Sequence, residues 1–262
     1  MNWDLLDWTI IGPALGAGLL VLSTHVPFGQ EVLRRGIIFI DLAIAQVAGL
    51  GVIMADAMSW EHGGIEVQIA AVLAALTAAL ALHWTESKWP KTQEPLIGSV
   101  FILAATGGIL LLAGNPHGSE HIRDLLVGQI LWSTWESLLP IVIVYVAVLA
   151  FWRFAHRRLG GIGFYASFAI VVTVSVQVVG IYLVFASLII PALATHRLPA
   201  QQRLISAYAI GGISYLLGIM LSSLLDLPTG AVIVWTMAGV ALAGNLILTR
   251  RVPTGDENTS RT

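Results

Sequence analysis

The sequence contains no cysteine and carries little charge, since only 11% of its 262 residues are Asp, Glu, Lys or Arg. A chain without cysteine can form neither disulfide bonds nor thiolate metal sites. Soluble domains usually carry about 25% charged residues, so the chain is not a single soluble domain. Eight or nine membrane spans of about 20 residues each would leave only short loops, which excludes an attached soluble enzyme domain. The net charge of -2 offers no basic surface to a polyanion, which excludes a nucleic-acid-binding protein.

Sequence motifs for catalysis are also missing. The only lysines are Lys88 and Lys91, and no Gly-x-x-x-x-Gly-Lys loop is present, so the chain does not hydrolyse ATP by that motif. No His-Glu-x-x-His pair occurs, and the serines Ser99, Ser167, Ser175 and Ser187 in apolar segments have no histidine close to them in sequence. We therefore predict a protein that is not itself an enzyme.

Long apolar segments dominate what is present, because 57% of the residues are hydrophobic. A helix needs about 20 mainly apolar residues to cross a bilayer. Nine such segments occupy residues 9–26, 36–57, 65–85, 95–113, 125–152, 161–180, 181–195, 204–225 and 229–249. The run from 161 to 195 is too long for one crossing, so we divide it at Val179 and Gly180, and a further break is expected near Gly128.

These segments predict an all-α, polytopic membrane helical bundle of eight or nine transmembrane helices, eight if one segment is re-entrant. Residues 1–252 would form a single transmembrane domain. The polar residues 253–262 are predicted to be a disordered tail. The acidic start of the chain does not resemble a signal peptide, so we interpret the first apolar segment as a retained helix.

Lysine and arginine placement predicts the orientation, because cytoplasmic loops retain an excess of these residues. With alternate loops assigned to alternate sides, 12 of the 13 basic residues fall on one side and Arg123 alone on the other. The amino terminus is therefore expected outside, and the carboxyl terminus and the tail in the cytoplasm.

Asp41 is the clearest polar residue within an apolar segment. A carboxylate at such a depth is costly and usually faces a partner or a watery path, which makes Asp41 a candidate metal ligand on a transport path. Alternatively, Asp41 pairs with Arg34 or Arg35, or caps a neighbouring helix. Gln46 lies about 140° around the helix from Asp41, so both cannot bind one ion from a regular helix.

Two glutamines and one loop complete the candidate sites. Gln46 and Gln177 are candidate residues of the transport path. Alternatively, Gln177 forms a hydrogen bond between helices. The loop between residues 114 and 124 offers His117, Glu120 and His121, and helical spacing would place these on one face together with Asp124. Imidazole with carboxylate suits zinc, and also iron or manganese. Alternatively, this loop is a solvated acidic segment with a capped helix start.

Several of these segments, taken in order, resemble the permease subunits of ABC transporters for zinc, manganese and iron(II). The resemblance is carried by residues 94–101 and 108–112, residues 124–131, residues 175–195 and residues 225–231. It implies a homodimer of permeases that works with two cytoplasmic ATP-binding subunits and an extracytoplasmic metal-binding protein. It also implies that residues 194–203 form the loop that couples to the ATPase, with Thr195, His196, Arg197 and Arg203 as its candidate contacts.

One departure from that family affects the predicted site. Its members typically carry Gly-Asp-x-x-Ser-His-Ala in the second span, which places a histidine one turn after the aspartate. Here Asp41 matches, but Ile40, Ile44 and Ala45 replace the glycine, serine and histidine. Asp41 is therefore carried over from the family as a ligand, and no histidine is.

The sequence thus predicts a permease subunit of a metal-importing ABC transporter in a bacterial inner membrane. Zinc is expected ahead of manganese or iron(II) because of His117 and His121, and no cofactor is expected to be bound stably. The alternatives are a secondary transporter driven by an ion gradient and, from a different class, a multi-pass membrane enzyme.

Overall fold

The structure, a computed structural model, describes residues 8–58, 64–113, 115 and 118–249. Over these residues the chain forms nine α-helices and two single-turn 3-10 segments, with no strand among them. The helices are α1 (Trp8–Arg35), α2 (Ile40–Ala57), α3 (Ile65–Lys88), α4 (Gln93–Leu112), α5 (Gly118–Val127), α6 (Trp135–Val179), α7 (Ile181–Thr195), α8 (Ala200–Leu225) and α9 (Thr229–Thr249). The prediction of an all-α helical bundle is confirmed.

Six of the described segments are long and apolar enough to cross a bilayer. They are Trp8–Arg35, Ile65–Lys88, Pro90–Leu112, Trp135–Phe154, Gly160–Val179 and Ala200–Leu225. Two shorter apolar helices accompany them, Ile181–Thr195 and Thr229–Gly244. The predicted tail, residues 253–262, lies outside the described residues.

Helix α6 consists of two antiparallel halves. The backbone leaves helical geometry at Gly160, where φ is 51° and ψ is -123°, and glycine tolerates this positive φ because it has no Cβ. The second half of α6 ends at Val179 and α7 begins at Ile181. The predicted division at Val179 and Gly180 is therefore where the chain turns.

The break predicted near Gly128 is confirmed, and one predicted segment boundary was wrong. Helix α5 ends at Val127 and α6 starts only at Trp135. A capping box at Thr134 fixes that start: the Thr134 hydroxyl accepts from the amide of Ser137 at 3.2 Å, and the Ser137 hydroxyl accepts from the amide of Thr134 at 3.0 Å. Helix α1 continues past the expected end at residue 26 to Arg35, beyond an internal Pro27.

Three glycines bring main chain against main chain where α5, α6, α7 and α9 meet. Gly128 and Gly180 both have positive φ, 72° and 78°. A Cβ on Gly128 would lie 2.2 Å from the carbonyl carbon of Val179, and a Cβ on Gly230 would lie 2.3 Å from the carbonyl oxygen of Val127. Larger side chains would prevent this approach, so the glycines fix how α5 packs against α7 and α9.

The ends of the bundle differ in charge. We call the end that carries Arg35, Lys88 and Arg197 the arginine-rich end, and the opposite one the far end. At the arginine-rich end, the Arg35 Nε donates to Glu31 at 2.7 Å and its Nη1 lies 3.8 Å from a carboxylate oxygen of Glu86. These contacts join α1 to α3.

Candidate transport path

A cavity of about 280 Å³ opens at the far end between α2, α3, α5 and α6. Its apolar walls include Val52, Ile53 and Val176. The polar and charged residues on its lining are Asp56, Gln68, His121, Asp124, Gln129 and Gln177. We call this the far-end cavity.

Helix α5 supplies the imidazole and one carboxylate of the far-end cavity. His121 and Asp124 are three residues apart, so they share a helical face, and both line the cavity. Glu120 is exposed and does not line it. His117 lies outside the described residues. Of the three metal ligands predicted in this loop, the structure brings His121 to the cavity.

Helices α2, α3 and α6 supply the opposite wall. Asp56 lies in the last turn of α2, and Gln68 lies in the first turn of α3. The side-chain amide of Gln68 donates a hydrogen bond to the side-chain carbonyl of Gln177, which links α3 to α6. Gln177, a predicted path residue, thus lies on the cavity lining.

The chemistry of this lining suits a hydrated cation. It offers two carboxylates, one imidazole and several amide oxygens, which are ligand types for divalent transition metals. Across the described part of the chain, no three His, Asp or Glu side chains are close enough together to hold a metal ion. A cation in the far-end cavity would therefore keep part of its water shell.

Asp41 lies far from this cavity. It is the second residue of α2, at the arginine-rich end, and its side chain is 1% exposed. Asp56 comes 15 positions after Asp41, and at a rise of about 1.5 Å per residue roughly 22 Å of helix separates the two. Asp41 and Gln177 therefore do not form one site.

The surroundings of Asp41 match neither of the alternatives given above, pairing with Arg34 or Arg35 and capping of a neighbouring helix. Arg34 and Arg35 bond to Glu31 instead. No side chain among the described residues hydrogen-bonds to the Asp41 carboxylate. Asp41 lies in the first turn of α2, where the helix dipole favours an anion.

Gln46 borders a different cavity from the one that Gln177 lines. This second cavity, of about 190 Å³, lies between α2, α4 and α5 and is otherwise lined by apolar residues such as Phe101, Ile109 and Leu126. Gln46 and Asp41 do not converge, in agreement with their angular separation on the helix.

The predicted coupling loop is a short connection at the arginine-rich end. Thr195 is the last residue of α7, and its buried hydroxyl donates to the carbonyl of Pro191 at 2.8 Å. His196 and Arg197 are exposed in the loop itself. Arg203, in the first turn of α8, donates from Nε and Nη2 to the Leu198 carbonyl at 3.2 and 3.1 Å, which holds the loop in place.

Four polar residues of the far-end cavity, Asp56, Gln68, Asp124 and Gln129, were not among the predicted site residues. Asp124 shares the helical face of His121, so its spacing was an available signal. Asp56 and Gln68 lie at the facing ends of α2 and α3, on either side of one loop. The signal available in the sequence was one polar residue at the end of a span and another at the start of the next span.

Comparisons with known proteins agree with this architecture. The sequence profile of the ABC 3 transport family matches residues 7–176 and 160–247. A manganese transport system membrane protein, MntC, of Halalkalibacterium halodurans is 28% identical over 254 residues, covering 88% of this chain and 85% of that protein. A probable iron transport system membrane protein of Haemophilus influenzae is 24% identical over 251 residues, with 88% and 85% covered.

A solved structure shows the same fold. The PsaBC complex of Streptococcus pneumoniae bound to a Fab contains a chain with a TM-score of 0.73 and 20% identity, covering 93% of this chain and 95% of that one. The sequence profile matches nearly all of the described helices, in agreement with the resemblance found in the sequence. The chain belongs to the ABC 3 transport family.

Proposed function

We propose that this chain is the permease subunit of an ABC importer for a divalent transition-metal cation. The far-end cavity carries this proposal, because it gathers Asp56, His121 and Asp124 at one end of a bundle that belongs to a transport family. Relatives named for manganese and iron transport support the class of cargo.

The cargo we favour is manganese(II) or iron(II), ahead of zinc. The sequence-based expectation of zinc depends on His117 and His121, and only His121 is among the described cavity residues. The described ligands are mainly oxygen atoms, and carboxylate and carbonyl oxygens suit manganese better than zinc. Zinc uptake is measured alongside that of manganese and iron(II) in the experiment below.

The proposed orientation places the arginine-rich end in the cytoplasm of a bacterial inner membrane. The far-end cavity then faces outward and receives cargo from an extracytoplasmic metal-binding protein. A cytoplasmic ATP-binding subunit contacts the loop around His196 and Arg197, and a second copy of the permease completes the assembly. Asp41 is the proposed inner point of the path.

The uptake test uses cells that express this chain with its ATP-binding and metal-binding partners and lack other metal importers. Uptake of manganese, iron(II) and zinc is measured for the unaltered chain and for the double variant Asp56→Asn, Asp124→Asn. A hydrogen bond to a charged group is worth about 1.5 to 3 kcal/mol. We therefore expect the double variant to need at least about tenfold more metal for half-maximal uptake.

Glu136→Gln is the control. Glu136 is exposed in the first turn of α6 and does not line the far-end cavity. It should transport like the unaltered chain. If the double variant also transported normally, the far-end cavity would not be on the cargo path.

A second experiment separates the ABC importer from a gradient-driven transporter. In vesicles that contain the whole assembly, uptake should require ATP and should stop when the ATP-binding subunit is inactivated. Uptake by the permease alone, driven by a proton or sodium gradient, would contradict the proposal.

A further inference from the structure

Two cavities lie one behind the other along α2. The far-end cavity extends from Asp56 to Val52 on this helix, and the second cavity, of about 190 Å³, extends from Ile53 to Gln46. Gln46 is the only polar side chain among the described residues that line the second cavity. Cargo that moves inward along α2 therefore has to pass from the first cavity to the second.

Among the described residues, only Ile53 of α2 and Leu125 of α5 line both cavities. A Cβ on Gly49 would lie 3.6 Å from Cδ1 of Leu125, and a Cβ on Gly108 would lie 3.1 Å from Cδ1 of Ile53. Because neither glycine has a side chain, both apolar side chains fit closely against the neighbouring helix. Ile53 and Leu125 thus lie at the boundary between the cavities.

Helix α5 presents different chemistry to each cavity. His121 and Asp124 line the far-end cavity, whereas Ile122 and Leu126 line the second cavity. With about 100° of rotation between successive residues of a helix, Leu125 lies between these two faces. The helix therefore separates the cavities, and Leu125 is the apolar side chain at its edge.

The face of α2 that lines the two cavities is polar at both ends and apolar in the middle. Its residues are spaced by three or four positions and so lie on one side of the helix: Gln46, Gly49, Ile53 and Asp56. Gln46 lies ten positions before Asp56, about 15 Å along the helix, and neither residue between them offers a side-chain ligand. Moving a charge past apolar groups without replacement ligands is costly, so the apolar middle opposes the passage of an ion.

We propose that Ile53 and Leu125 form an apolar constriction that closes the cargo path between the two cavities. Gln46 is then the first polar side chain that cargo reaches beyond the constriction. Hydrophobic constrictions close a path by excluding water, and this one opens when Leu125 moves away from α2. The assignment of the constriction to cargo rests on the proposed function, whereas the separation of the two cavities does not.

The first experiment measures whether a water-soluble reagent reaches Gln46. The chain has no cysteine, so Gln46→Cys or Val52→Cys supplies its single thiol, and the whole assembly is placed in lipid nanodiscs that leave both ends in water. Reaction with a charged methanethiosulfonate is followed by the intact mass of this chain. Val52 lines only the far-end cavity, so we expect Gln46→Cys to react at least about tenfold more slowly than Val52→Cys.

Truncation of Leu125 tests the constriction itself. Added to Gln46→Cys, Leu125→Ala should raise the reaction rate at least about tenfold, because the apolar barrier is removed. Leu126→Ala is the matched control, since it makes the same change on the same helix but Leu126 lines only the second cavity. If Leu125→Ala does not assemble, Ile53→Ala takes its place, with Val52→Ala as the control.

Three results would overturn the constriction. Equal rates for Gln46→Cys and Val52→Cys would show that the two cavities are already joined. A slow rate that persists in both Leu125→Ala and Ile53→Ala would place the barrier elsewhere. Equal acceleration by Leu125→Ala and Leu126→Ala would mean that α5 is loosened in general.

A leak assay then connects the constriction with cargo. In vesicles that contain the assembly but no ATP, Leu125→Ala should admit manganese at least about tenfold faster than Leu126→Ala. Equal entry would remove the constriction from the cargo path. The proposed function is judged separately, by ATP-dependent uptake through the unaltered chain, so the two failures are distinguishable.

Discussion

Arg35 connects three helices at the arginine-rich end. Its guanidinium bonds to Glu31 in its own helix, approaches Glu86 of α3 and lies 4.4 Å from the ring centroid of Phe164 in α6. Its side chain is only 16% exposed, so these contacts are poorly screened by solvent. A cation above an aromatic ring adds further attraction.

We predict that Arg35→Gln destabilises the bundle by about 2 to 3 kcal/mol, because Glu31 and Glu86 lose a charged partner in a largely buried setting. The shift would be measured by unfolding in a denaturing-detergent titration. Arg153→Gln, at an exposed position, should change the free energy of unfolding by less than about 0.5 kcal/mol. Equal shifts in both variants would mean that the contacts of Arg35 contribute nothing specific.

The second residue-scale prediction concerns Asp41. Asparagine has the same shape but cannot ionise, so Asp41→Asn should change the free energy of unfolding by no more than about 0.3 to 1 kcal/mol, the worth of a carboxylate near a helix amino terminus. If Asp41 is the inner point of the cargo path, metal uptake should fall at least about tenfold while the assembly still forms. An uptake assay measures the loss of transport, and size-exclusion chromatography shows whether the assembly still forms. Normal uptake would limit Asp41 to a role in helix stability.

Residue spacing predicted part of the candidate site. The three-residue interval between His121 and Asp124 places them on one face of α5, and both line the far-end cavity. Asp56 and Gln68 join them only through the packing of α2 and α3 against α5 and α6, and helical periodicity within one segment carries no information about that packing. Asp41 was placed deeper in its segment than it lies, because residues 36–39 are a turn and not the first turn of α2.

At the scale of elements, glycines determine where helices break and touch. Gly128 and Gly180 both have positive φ, and a Cβ at either position would overlap the neighbouring backbone. Neither position therefore tolerates a side chain. The sequence predicted both breaks from composition and length. It could not predict that they touch, because 52 residues separate them along the chain and only the folded bundle brings them together.

We predict that Gly128→Ala and Gly180→Ala each destabilise the bundle by about 3 kcal/mol or more, through strained backbone and overpacking. Gly239→Ala is the control, since a Cβ there meets nothing within 4 Å and alanine is favoured in a helix by up to about 1 kcal/mol. Thermal unfolding in detergent compares the three, and a tolerated alanine at Gly128 would contradict the observed contact with Val179.

At the scale of the whole molecule, the lack of cysteine makes the orientation directly testable. A single introduced cysteine is then the only thiol of this chain that a maleimide can label. We predict that Trp132→Cys, at a side chain 82% exposed at the far end, reacts with a membrane-impermeant maleimide in intact cells. Arg197→Cys should react only after the inner membrane is permeabilised, and labelling of Arg197→Cys in intact cells would invert the proposed orientation.

The contact between Gly128 and Gly180 also has a mechanical consequence. Helix α7 runs from that contact to the loop at His196 and so connects the two ends of the molecule. Since backbone abuts backbone at its far end, no rotatable side chain can absorb a displacement there. We therefore expect a shift of the loop along α7 to be passed on to α5, which carries His121 and Asp124.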